Sequence, residues 1–170
     1  MNAEPTAADQ RRYCYLRIGG RSYAVDVLAV REVHHPLPLT AVQGSSSFVR
    51  GLVNLRGQII TVVDPAQRLG LPPAEHDPAA RLVILKNGAE LRAHGHGIET
   101  CEQTVALWVD SASDVFSAPV EPVPASIARD SGPDLVEGVM RVGDDLVRLL
   151  ALSELLRVDG DPREPAARTH

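Results

Sequence analysis

With 170 residues and 44% apolar content, the chain has material for one ordinary domain or two very small ones around a continuous core, which excludes disorder as its main state. Its net charge of −5 leaves the arginines scattered among acids with no basic run, so the electrostatic footprint of a nucleic-acid binder is missing and DNA and RNA are set aside. No apolar run is long enough to span a bilayer, MNAEPTAADQRR has no hydrophobic signal-peptide centre, and Cys14 and Cys101, only two and without C-x-x-C spacing, signal neither a zinc knuckle nor a disulfide framework, so a cytoplasmic chain without direct membrane insertion is expected.

Residues 1–12 and 159–170 are polar and aperiodic and read as flexible tails. Tyr13 to Ile18 alternates, with Cys14, Leu16 and Ile18 on one face, and Ser22 to Val27 alternates again after Gly19-Gly20, which predicts a hairpin. Leu28 to Val33 is short and fits either a helical turn or a bent strand. His34 to Pro38 must then be extended, because a residue before proline is pushed out of the α region. Phe48 to Leu69, FVRGLVNLRGQIITVVDPAQRL, holds two Val/Ile/Leu-rich runs joined around Arg56-Gly57, a second hairpin, and then a helical start at Asp64-Pro65. GLPPAEHDPAA from Gly70 is a proline-rich surface loop. RLVILK from Arg81 and TVALWV from Thr104 are strands, and they flank an excursion, Asn87 to Gln103, whose counterpart in the first hairpin is only Gly19 to Arg21. That excursion is expected to extend the hairpin or to adjust partner choice. Leu152, Leu155 and Leu156 give a final short helix one apolar face.

The chain says part of this twice. Shifting Phe48–Leu69 by 87 positions gives Leu135–Leu156 without a gap, with Val49 on Val136, Gly51 on Gly138 and Leu69 on Leu156. A shift of 82 places Ala24–Val27 on Ala106–Val109 and Arg31-Glu32-Val33 on Ser113-Asp114-Val115. Every element apart from the short helices reads as a strand, so the fold class is mainly β: two duplicated, barrel-like halves. A half this small barely offsets its chain entropy, so one shared core is expected.

Phe48 to Asp64, FVRGLVNLRGQIITVVD, preceded by YAVDVLAVREV from Tyr23 to Val33, resembles the CheW-like chemotaxis coupling family, and the likeness runs from about Tyr13 to Val158. The resemblance implies two SH3-like five-stranded β-barrel subdomains with a pseudo-two-fold relation, strands shared between them, and short helices. On that scheme residues 13–158 form a single CheW-like domain, with a first subdomain over about 22–80, a second over about 81–150 and a C-terminal helix over about 151–158. It implies a non-catalytic adaptor that couples the cytoplasmic tip of a methyl-accepting chemoreceptor to the regulatory domain of a CheA-type histidine kinase at membrane-associated receptor arrays. Self-association within arrays is a further implied contact. A chemosensory pathway outside flagellar motility is the alternative within the same fold. The receptor-contacting positions carried over are Val30, Glu32, Gly51, Val53, Asn54 and Arg56.

The residues themselves add to this. Glu32 is matched by Asp114, whereas Arg56 is matched by Gly143, so only the first half can form a bidentate acid–arginine pair. An ion pair between Glu32 and Arg56 is therefore expected, and a partner that reads it. Gly51, repeated as Gly138, reads as a backbone need of the fold in both halves. Asn54 and Arg56, replaced by Arg141 and Gly143, are where the first copy departs. His94 and His96, with Glu99, Cys101 and Glu102 nearby, are the ligand types of a metal site, but Gly95 and Gly97 leave the stretch flexible and no metal or cofactor is expected. No G-x-S-x-G, P-loop or H-E-x-x-H occurs, so no catalytic residues are assigned.

Overall fold

A computed structural model describes residues 11–72, 77–93, 95, 98, 100–131 and 134–157. Ten strands run in chain order as β1 (Tyr13–Ile18), β2 (Arg21–Asp26), β3 (Val30–His34), β4 (Val49–Leu55), β5 (Gln58–Val63), β6 (Arg81–Leu85), β7 (Val105–Val109), β8 (Ser111–Phe116), β9 (Val136–Val142) and β10 (Asp145–Leu150). Among the described residues four short helices join them: α1 (Pro65–Leu69), α2 (Gly88–Ala93), α3 (Ala125–Ser131) and α4 (Leu152–Leu155). Leu28 to Val33 resolves into a 3-10 turn, Val27–Ala29, followed by β3. The tails and His94, His96, Gly97 and Glu99 lie wholly or mainly outside the described residues, although Arg11 is described and pairs with Asp26 at 3.5 Å.

The strands form two five-stranded sheets, ordered β8-β1-β2-β10-β9 and β3-β6-β7-β5-β4. Both sheets draw strands from either side of residue 80. β6 and β7 hydrogen-bond with β3 and β5, while β1 and β2 join β8 and β10. Each five-strand repeat gives its first two strands to one sheet and its last three to the other, so the halves exchange hairpins. Each exchanged hairpin is held in its host sheet by one antiparallel and one parallel contact, β1 on β8 with β2 on β10, and β6 on β3 with β7 on β5.

The duplication extends to register. Thr61↔Val105 and Val62↔Ala106 correspond, at the shifts of 87 and 82, to Arg148↔Tyr23 and Leu149↔Ala24. The bulge between Val49 and Gly51 opposite Val63 and Val62 recurs between Val136 and Gly138 opposite Leu150 and Leu149. The isolated bridge Thr40↔Leu52 recurs as Glu121↔Val139.

Side-chain alternation sorts the apolar residues into three clusters. In β7, Val105, Leu107 and Val109 face a core shared by the two sheets, whereas Ala106 and Trp108 face the interior of their own sheet with Val53, Ile60, Leu82 and Ile84. β6 divides the same way, Val83 and Leu85 against Leu82 and Ile84. Leu16, Ile18, Tyr23 and Val25 reach the shared core from the other sheet, and Ala24, Met140 and Val147 line that sheet's own interior. Leu152, Leu155 and Leu156 all enter the shared core, so the final helix buries the face its spacing predicts, although it is shorter than the expected 151–158.

α1 starts where the sequence places it: the Asp64 side chain accepts from Ala66 N at 3.1 Å, and Pro65 fills the first turn, where its missing N–H costs nothing. α2 and α3 are not anticipated by the pattern. α2 opens the excursion, so this stretch is a capped helix where a hairpin extension is one of the expected forms.

Candidate functional site

The β4–β5 turn carries the site. Arg56 (φ 53°) and Gly57 (φ 84°) are both left-handed, as a two-residue reversal matching the strand twist requires. Glycine takes this conformation freely, but arginine pays a steric cost through its Cβ. Asn54 helps hold the turn, since its Oδ1 accepts from Gly57 N at 2.9 Å.

Arg56 is anchored to β3. Its Nη1 donates to Glu32 Oε2 at 2.6 Å and its Nη2 to Glu32 Oε1 at 3.1 Å, the two parallel bonds of a bidentate fork. The expected pair is thus present in the free protein. The hydrogen bond from Arg56 holds the Glu32 carboxyl below its ordinary value, and Glu32 in turn raises the Arg56 guanidinium. The Arg56 side chain is 69% exposed and that of Glu32 26%, so the pair lies open on the surface. In the second copy the equivalent turn has Gly143 (φ 61°) at the position of Arg56, which leaves no side chain to answer Asp114; there Arg141 Nε instead approaches Glu121 Oε2 at 3.4 Å.

The other positions divide by exposure. Asn54 is exposed beside the turn, and Val30 is half-buried against the shared core. Val53 is 2% exposed and packs inside its sheet, so it offers a partner almost no surface. Gly51 is buried, with φ 151°, and a Cβ there would lie 2.6 Å from the Thr40 carbonyl oxygen. At its mate Gly138 a Cβ would run into Val120 and come within 3.3 Å of Glu121 O, so both glycines admit the incoming proline segment.

A second grip holds the same turn. On β3 the register against β6 shifts between Val30 and Glu32, which leaves Arg31 as the extra residue of a bulge. Arg31 Nη1 donates to Gln58 Oε1 at 3.1 Å, and its Nη2 pairs with Glu90 Oε1 and reaches Thr104 Oγ1 at 3.5 Å. Adjacent residues of β3 therefore hold residues 56 and 58. The contrast of Arg31 with Ser113 was available in the repeat.

Among the described residues no group of three or more His, Cys, Asp or Glu side chains is placed to hold a metal ion. No helix among them is long and apolar enough to cross a membrane.

Comparison with known proteins gives consistent matches. A family model described as "CheW-like domain" matches residues 12–159. The "Probable chemotaxis protein CheW" of Rhizobium etli is 31% identical over 148 residues, covering 85% of this chain and 86% of that protein. The "Chemotaxis protein CheW" of Rhizobium meliloti is 29% identical with the same coverage. Among solved structures, the scaffolding protein TtCheW from Thermoanaerobacter tengcongensis superposes with a TM-score of 0.73 at 22% identity, over 94% of this chain and 96% of that one, which supports the two-sheet fold.

Proposed function

The chain belongs to the CheW-like domain family, and on that footing we propose that it is a non-catalytic chemotaxis adaptor that couples a chemoreceptor cytoplasmic tip to the regulatory domain of a CheA-type histidine kinase. Its place of work is the cytoplasmic side of receptor arrays. The receptor-facing surface comprises Glu32, Arg56, Asn54 and the exposed edge of Val30, while Gly51 and Val53 support that surface from within the fold.

One observation carries the reading: the bidentate Glu32–Arg56 pair of the first half has no counterpart at the matching positions of the second, Asp114 and Gly143. Stability does not account for it. An exposed pair contributes little to folding, and Arg56 occupies a left-handed position that glycine fills without strain. A residue kept in such a conformation against its own preference points to use at a contact. A planar, two-pronged cation beside a carboxylate suits recognition of a receptor tip through polar and charged side chains, because each group can exchange its partner without leaving a charge unpaired.

The test is a binding titration of the full chain against a receptor cytoplasmic fragment and, separately, a kinase regulatory domain. Arg56→Ala should weaken the receptor arm and spare the kinase arm. Binding unchanged in both arms overturns the assignment.

A further inference from the structure

We infer that Arg31 and Glu90 are positioning residues for the receptor-facing turn, and that helix α2 is a brace holding that turn and contributing to partner choice. This rests on the receptor reading of Glu32 and Arg56.

Three independent features converge. First, the bulge at Arg31 aims its guanidinium at the β4–β5 turn, where it bonds Gln58 at 3.1 Å, two residues after Arg56. Second, Glu90 has two tasks. It closes a reciprocal cap at the start of α2, with Glu90 N donating to Asn87 Oδ1 at 2.9 Å and Asn87 N donating to Glu90 Oε1 at 3.2 Å, and the same Oε1 takes the Arg31 ion pair. Third, Thr104 Oγ1 joins the set, accepting from Gln58 Nε2 at 3.2 Å and from Asn87 Nδ2 at 3.5 Å. A continuous polar chain thus runs from the α2 cap through Arg31 and Thr104 to the turn.

The network is specific to the β3-β6-β7-β5-β4 sheet, where the first half's Arg31 and Gln58 meet the second half's Asn87, Glu90 and Thr104. Arg31 stands opposite Ser113 and Gln58 opposite Asp145 in the second copy, and Glu90 lies in an excursion that the first hairpin lacks. The side chains of Arg31 and Glu90 are 27% and 33% exposed, so the pair is more sheltered than Arg56 and less screened by salt. β3 and β5 are not hydrogen-bonded neighbours in their sheet, so these side chains supply a cross-barrel tie that the backbone ladder does not. A strained turn holding an exposed arginine needs such a tie, because freedom in the turn would spread the fork over orientations that cannot bind.

The experiment measures receptor-fragment and kinase-domain affinity for the full chain carrying Arg31→Ala, Arg31→Lys, Glu90→Gln or Arg56→Gly, and for the Arg31→Ala/Arg56→Gly pair. Arg31→Ala and Glu90→Gln should each weaken receptor binding about five-fold, with kinase-domain binding unchanged as the check that the fold persists. Arg31→Lys should recover part of the loss. The double variant should bind no more weakly than Arg56→Gly alone, because a brace has nothing left to position, whereas thermal stabilities should add. Wild-type receptor affinity for Arg31→Ala and Glu90→Gln, with Arg56→Gly impaired, overturns the brace and leaves the receptor reading standing. Losses that add fully in the double variant make Arg31 an independent contact and also overturn the brace. Unchanged binding of Arg56→Gly overturns the receptor reading and the brace with it.

Discussion

Gly51→Ala separates a fold requirement from a partner contact. The new methyl would sit 2.6 Å from the Thr40 carbonyl oxygen, inside any tolerable approach, on a residue with φ 151°. Thr40 and Leu52 exchange two backbone hydrogen bonds at this point, at 2.9 Å and 2.8 Å. Moving Thr40 away loses both, at about 1 kcal/mol each, and the unfavourable φ adds about 1 kcal/mol more. A loss of about 2–4 kcal/mol lowers the melting temperature of a chain this size by about 5–15 °C. Gly138→Ala is the internal control. Its methyl meets the Val120 side chain, which is 43% exposed and can swing outward, so the cost should stay near 1 kcal/mol. Thermal melting of both variants, with hydrogen exchange at the Leu52 amide, gives the answer. If Gly51→Ala melts within about 2 °C of wild type, or if Gly138→Ala is the more damaging change, the close-approach argument is wrong. Full stability with loss of receptor binding would make Gly51 a contact after all.

Asp64→Ala should cost about 2–4 kcal/mol in denaturant unfolding, because Asp64 is 2% exposed, caps α1 and pairs with Arg50 at 3.5 Å. Its repeat mate is already Ala151, at a helix with no side-chain cap, so the first copy relies on a device the second does without. For Glu32 the sign follows from a carboxyl held below its ordinary value: the pair is complete above the normal carboxylate range and is lost as pH falls through the depressed value. Receptor-fragment affinity should therefore be flat between about pH 8 and 5 as far as this pair is concerned, and Glu32→Gln should weaken binding across that whole window. A midpoint near neutrality that disappears in Glu32→Gln would contradict the assigned shift.

The hairpins, the terminal helix and the duplication were legible because alternation and spacing are local properties, and the two shifts carried register with them. Thr61 and Arg148 pair with matching partners for that reason. The exchange of hairpins was not legible at the level of boundaries. Nothing in Tyr23 or Val105 announces which distant strand lies alongside in parallel, so which strands are shared across residue 80 shows only in the sheet order. α2 was hidden because only Gly88 and Leu91 of its residues are buried and no helical period shows, yet Asn87-x-x-Glu90 had the form of a capping box. α3 follows a proline segment whose repeat partner has no helix. At the site, the family resemblance points to Glu32 and Arg56, and the repeat predicts their pairing, because Asp114 has only Gly143 at the matching position while Glu32 has an arginine to meet. The same comparison of Arg31 against Ser113 would have uncovered the second grip, and only the bulge on β3 shows why that side chain reaches the turn.

The most direct measurement is the affinity of a chemoreceptor cytoplasmic fragment for Arg56→Gly, the residue found at Gly143 in the second copy. Glycine suits the left-handed turn, so melting should stay within about 3 °C of wild type and kinase-domain binding should persist, while receptor affinity should fall about ten-fold or more. Wild-type receptor affinity in a stably folded Arg56→Gly chain would contradict the account.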